Sequence, residues 1–167
     1  MTIKTLNGLD SSEAAAQFNL CCGATNWIKI MNQSRPFQNK KELFQKAESI
    51  WLSLSSEDWL EAFTHHPKIG NINSLRKKFQ NTKSISKNEQ SGVNNATEST
   101  LKNLAESNQL YEDKFGFIFI VCATGKSSDE MLALIKMRLN NNAKIEMQNA
   151  AKEQNNITQL RLKTLLL

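Results

Sequence analysis

Phe117-Ile118-Phe119-Ile120-Val121-Cys122-Ala123 is the one run of the chain with the composition of a β-strand. Its reading decides the fold, because no second run of this kind stands elsewhere to pair with it. A lone strand leaves its backbone N–H and C=O groups without a ladder, and such groups, once buried, need other partners. The run is therefore read as an extended segment, or the first turn of a helix, threaded between helices. A bound polar ligand can supply some of the missing partners. The regular structure elsewhere is then expected to be helical.

On the C-terminal side, Thr124-Gly125-Lys126-Ser127 turns the chain, and Ser127 with Glu130 makes a capping box for a helix over Met131 to Leu139. The Gly-Lys-Ser tripeptide lacks the earlier glycine and the strand–loop–helix setting of a phosphate loop. A last helix runs from about Asn142 to Leu165 without Pro or Gly, and Ile145, Ala150, Ile157, Leu160 and Thr164 mark its inner face. Arg161 adjoins that stripe. It either carries its charge out to water or is a buried cation awaiting an anion.

On the N-terminal side, a helix carries Leu101, Leu104, Leu110 and Tyr111 and ends before Phe115-Gly116. Ahead of it, Ser86 and Glu89 in Ser86-Lys87-Asn88-Glu89-Gln90-Ser91-Gly92 stand at capping-box spacing, so a helix cap alone accounts for Glu89. The stretch from Asn71 to Lys87 is polar and reads as a surface loop with one helical turn around Ser74 to Phe79. Loops of that length are often functional. Before it, Thr64-His65-His66-Pro67-Lys68-Ile69-Gly70 holds both histidines of the protein. Histidine has the unperturbed pKa nearest neutrality, and Pro67 biases His66 away from the helical region. The plainest reading is a helix terminus with histidines at the negative end of the dipole.

Earlier still, Ser55 or Ser56 caps a helix with Trp59, Leu60 and Phe63 inward. Asn39 caps another in which Leu43, Phe44, Ala47, Ile50, Trp51 and Leu54 recur at helical spacing. Ser34-Arg35-Pro36-Phe37 separates that helix from one over Thr25 to Asn32, whose apolar side is Trp27, Ile28 and Met31. Asp10-Ser11-Ser12-Glu13 opens a short helix through Phe18 that Gly23 breaks. The expected fold is all-α: a single compact multi-helix domain over residues 1–167 with one buried extended segment.

At 167 residues the chain can bury roughly 70% of its unfolded surface without staples. No apolar run reaches the roughly 18 residues of a membrane span, and Met1 to Asn7 lacks a signal-peptide core. The three cysteines, Cys21, Cys22 and Cys122, fit neither a disulfide framework nor zinc spacing, so a reducing cytoplasm is expected. The net charge of +5 raises the question of nucleic acid. The basic residues are scattered, however, and the one tight cluster, Arg76-Lys77-Lys78, reads as a solvated face. A moderate positive field also suits a small anionic substrate.

Several segments in this order resemble the OHCU decarboxylase family, whose substrate is 2-oxo-4-hydroxy-4-carboxy-5-ureidoimidazoline. They are Arg35-Pro36-Phe37, Trp59 to Phe63 leading into His66-Pro67-Lys68-Ile69-Gly70, Glu89-Gln90-Ser91-Gly92, Phe115-Gly116-Phe117 through Cys122-Ala123, and Ile157-Thr158 with Arg161-Leu162. Lys68 departs from the arginine common after His-Pro, and Leu165-Leu166-Leu167 is not the peroxisomal tripeptide of many eukaryotic members.

The resemblance implies a homodimer and a decarboxylase of urate catabolism that yields (S)-allantoin without metal or organic cofactor. It implies His66 and Glu89 as the catalytic pair. It implies a substrate site from Pro67, Ser86, Lys87, Asn88, Glu89, Gln90, the backbone of Phe119, Ile120, Val121, Cys122 and Ala123, and Arg161. The chemistry suits these types. The substrate heterocycle can hold the electron pair left when CO2 departs, so the enzyme need only exclude water, offset charge and protonate one face. His66 is the expected donor, with a carboxylate neighbour raising its pKa. The alternative is a small basic helical module that binds nucleic acid or a protein without catalysis.

Overall fold

A computed structural model of the chain describes residues 1–66 and 98–167. Among them stand eight helices and no strand: α1 (Ile3–Gly8), α2 (Ser11–Cys21), α3 (Thr25–Gln33), α4 (Lys40–Ser53), α5 (Ser56–Thr64), α6 (Glu98–Phe115), α7 (Ser128–Arg138) and α8 (Ala143–Leu165). The fold is all-α. Residues 117–123 join no ladder; Phe117 and Ile120 are buried and the others half-buried. No helix among the described residues is long and apolar enough to cross a membrane.

The helices begin where side chains can satisfy their first N–H groups. Asp10 and Glu13 form a complete capping box on α2, as do Ser55 and Asp58 on α5 and Ser127 and Glu130 on α7. Asn39 accepts from the Glu42 N–H at 3.0 Å to start α4. Ser55, not Ser56, is thus the cap of α5. Helix α6 takes in Phe115, one residue past the expected end, and stops at Gly116, whose φ of 76° is left-handed. Helix α1 has no counterpart in the sequence reading. Six residues are too few to show a period, and the Thr2 side chain that accepts from Thr5 N holds its start.

By their contacts the residues group into two units. The first comprises Met1–His66, Ile120–Cys122 and Met147–Leu167. Its core includes Phe18, Trp27, Met31, Leu43, Trp51, Phe63 and Leu162. Each indole N–H there meets a backbone carbonyl: Trp27 that of Ala47 at 3.0 Å, Trp51 that of Ala151 at 2.8 Å, and Trp59 that of Trp51 at 3.0 Å. The second unit comprises the described residues within Pro67–Phe119 and Ala123–Glu146. There α6 packs on α7, and Leu101, Leu104, Tyr111, Met131 and Ile135 are buried. Within this unit Glu146 is fully buried. It accepts from the Tyr111 hydroxyl, from Arg138 Nε at 2.6 Å and from Asn141 Nδ2 at 2.8 Å.

Helix α8 differs from its expected pattern. Ile145 and Leu160 are 46% and 41% exposed, and Thr164 is exposed too. Ala150 is buried as expected, and the rest of the buried face is Glu146, Ala151, Gln154, Asn155, Thr158 and Leu162. Leu110 on α6 likewise points outward, 59% exposed. Apolar periodicity finds residues that favour burial unaided; α8 buries polar ones against specific partners.

Candidate active site

Helix α5 ends with His65 at its C-cap, and the His66 N–H bonds to Phe63 O at 3.2 Å. The exposed ring of His65 lies over Gly23, where a Cβ would come within 2.3 Å of its Cγ. Glycine at that position therefore does more than break α2: it leaves room for the α5 terminus. Helix α5 is also tied to the start of α3. Ala24 offers α3 no side-chain cap, and Glu61 supplies it by accepting from Thr25 N at 3.0 Å and Thr25 Oγ1 at 2.5 Å.

His66 is half-buried, and its Nε2 bonds the Oε1 of Gln154 on α8. Gln154 Nε2 donates in turn to Thr158 Oγ1 at 3.2 Å. Burial holds the His66 pKa below its ordinary value; the Gln154 bond opposes this, and the charges of Arg161 and His65 add to it. The raised value expected from a carboxylate neighbour is thus not the balance among the described residues. Glu89 lies outside them.

Arg161, on the same helix, is half-buried and gives one hydrogen bond, Nη1 to Cys21 O at 3.4 Å. It has no carboxylate partner among the described residues. Burial pushes the Cys21 and Cys22 thiols up to about 11, against the pull of Arg161, so both are neutral packing groups and poor nucleophiles.

In the extended segment, the Cys122 N–H donates to Glu153 Oε2 at 2.6 Å, and Ala123 O accepts from Lys126 N at 3.1 Å. Side chains and a turn thus take up part of what a ladder would have satisfied. Ile120, Val121 and Cys122 belong to the same unit as His66 and Arg161, whereas Phe119 and Ala123 belong to the other. The Phe119 ring lies 4.7 Å beneath the Arg138 guanidinium and 5.1 Å from the Tyr111 ring. Pro67, Lys68, Ser86, Lys87, Asn88, Glu89 and Gln90 lie outside the described residues, as do the Asn71–Lys87 loop and the Arg76–Lys78 cluster. Among the described residues no three His, Cys, Asp or Glu side chains could hold a metal ion.

Sequence reasoning missed Gln154 and Glu153. The one signal for Gln154 is a polar stripe at helical spacing, Glu146, Gln154 and Thr158, in a helix whose apolar pattern is weak.

A family model described as OHCU decarboxylase matches residues 7–163, which fall in both units. The chain is similar to the uric acid degradation bifunctional protein TTL of Arabidopsis thaliana, 37% identical over 147 residues. That match covers 87% of this chain and 45% of that protein, so the chain spans under half the length of this relative. It is 22% identical over 163 residues to the 2-oxo-4-hydroxy-4-carboxy-5-ureidoimidazoline decarboxylase of Haloferax volcanii, covering 97% of this chain and 94% of that one. Among solved structures, a crystal structure of OHCU decarboxylase in the presence of (S)-allantoin superposes with a TM-score of 0.71 at 38% identity, covering 89% of this chain and 96% of the other.

Proposed function

The chain belongs to the OHCU decarboxylase family, and from that premise we propose that it converts 2-oxo-4-hydroxy-4-carboxy-5-ureidoimidazoline to (S)-allantoin and CO2. The bond from the ring carbon to the carboxylate breaks, its electron pair passes into the conjugated ring, and CO2 leaves. A proton from His66 then makes the new C–H bond on one face. The heterocycle is its own electron sink, so no cofactor is called for. Arg161, a cation without a carboxylate partner among the described residues, offsets the substrate's negative charge.

In this reading Glu89 orients His66 and bonds the substrate hydroxyl. Gln90 and the backbone of Phe119 to Ala123 read the ureido and ring amides, while Pro67, Ser86, Lys87 and Asn88 line the site. The enzyme acts as one domain over residues 1–167, as a homodimer in the cytoplasm. The observation that carries the reading is His66, anchored by the buried Gln154 in the same unit as Arg161.

The test is to add the protein to freshly generated substrate and follow its decay together with the optical activity of the allantoin formed. Fast decay to the (S) enantiomer, unchanged by exhaustive chelation and dialysis, is expected. Decay at the spontaneous rate to racemic product rejects the reading, and activity restored only by added metal rejects its cofactor-free form.

A further inference from the structure

We infer that Gln154 is a positioning residue: through a buried chain of hydrogen bonds it fixes Nε2 of His66 as the protonated nitrogen and leaves Nδ1 to exchange the proton with the substrate. The inference rests on the reading of His66 as proton donor. Gln154 is 0% exposed and Thr158 is 1% exposed, so water does not compete for their bonds. A primary amide could turn either its oxygen or its nitrogen toward the ring, and the two choices demand opposite tautomers. Thr158 decides between them. Its Oγ1 accepts from Gln154 Nε2 at 3.2 Å, so the amide oxygen is left facing the ring. His66 Nε2 must then be the donor.

Nδ1 makes no hydrogen bond among the described residues. Among the described residues, the groups whose charge bears on the ring are Arg161 on α8 and His65 at the end of α5. Both are basic, and the amide opposite Nε2 is neutral, so these groups favour the uncharged ring. In the reaction Nδ1 takes a proton from solvent, giving an imidazolium whose Nε2–H stays on Gln154. The Nδ1 proton then goes to the carbon that lost CO2, and the ring returns to its neutral Nε2–H form. One proton is consumed per CO2 released, and Nε2 never gives up its own.

The chain has two histidines, so a ring 15N–1H spectrum of the labelled protein contains two imidazoles, with the exposed His65 as internal reference. Near neutral pH we expect His66 to show a protonated Nε2 and a bare Nδ1. A ring carrying its hydrogen on Nδ1 overturns the inference, and this measurement needs neither a variant nor a substrate. Gln154→Glu should move the His66 titration midpoint and the pH profile of kcat upward together, about tenfold in proton affinity or more. Gln154→Met, checked for helix content, should lower kcat at least ~10-fold, the effect of a ring free to take the wrong tautomer, with KM changed little. Wild-type kcat and pH profile in a folded Gln154→Met protein overturn it as well. Failure to turn over the substrate counts against the decarboxylase reading alone, because the ring spectrum still judges Gln154.

Discussion

A histidine that rests neutral must take up a proton before it can deliver one, and burial keeps His66 in that state. The sign of the shift sets a dependence of stability on pH. Folded His66 binds its proton more weakly than the unfolded chain does, so its contribution is full above the ordinary value of 6.5 and is lost as pH falls through the lower folded value. Melting followed from about pH 7.5 down to about pH 5 should show a decline in wild type that His66→Asn reduces; equal declines would mean that the ring is solvated. In turnover, His66→Asn should cost at least ~100-fold, the scale of a lost general acid, and the same change at His65 little. Equal losses at the two positions would point to a shared structural role at the α5 terminus. Arg161→Met should impair catalysis more than Lys68→Ala in a folded protein. Intact kinetics would mean that Arg161 only carries its charge to water.

Helix α8 marks where the sequence was legible and where it was not. Helix starts could be read, because a cap and its partner lie three residues apart: Asp10 with Glu13, Ser127 with Glu130. The inner face of α8 could not, because its polar residues are buried by partners far along the chain. Gln154 meets His66 across 88 positions, and Glu146 meets Tyr111 across 35. No local pattern encodes such a pairing. The cluster around Glu146 allows a direct test of its worth. Burial alone would raise the Glu146 pKa, but bonds from Arg138, Tyr111 and Asn141 outweigh it and hold the carboxyl below its ordinary value. Arg138→Met leaves that carboxylate buried without its cation and should cost about 3–5 kcal/mol in urea denaturation. A loss under ~1 kcal/mol would show that water reaches the pair.

For the molecule as a whole, the single run of strand composition at residues 117–123 was enough to point to an all-α fold, and the ordered motifs were enough to name the family. The reading of His66 and Arg161 came from those motifs, since each residue alone has an ordinary structural explanation. The indole bonds described above have a further consequence, an optical one. All three tryptophans, Trp27, Trp51 and Trp59, belong to the first unit, while the second holds the single tyrosine, Tyr111. Emission excited at the red edge of protein absorption therefore comes from the first unit alone, whereas helical circular dichroism sums over both. If residues 1–167 form one cooperative domain, the two thermal curves should superimpose. A dichroism transition that precedes the change in emission would show α6 and α7 melting while the indoles still sit on their carbonyls, and two units that unfold separately.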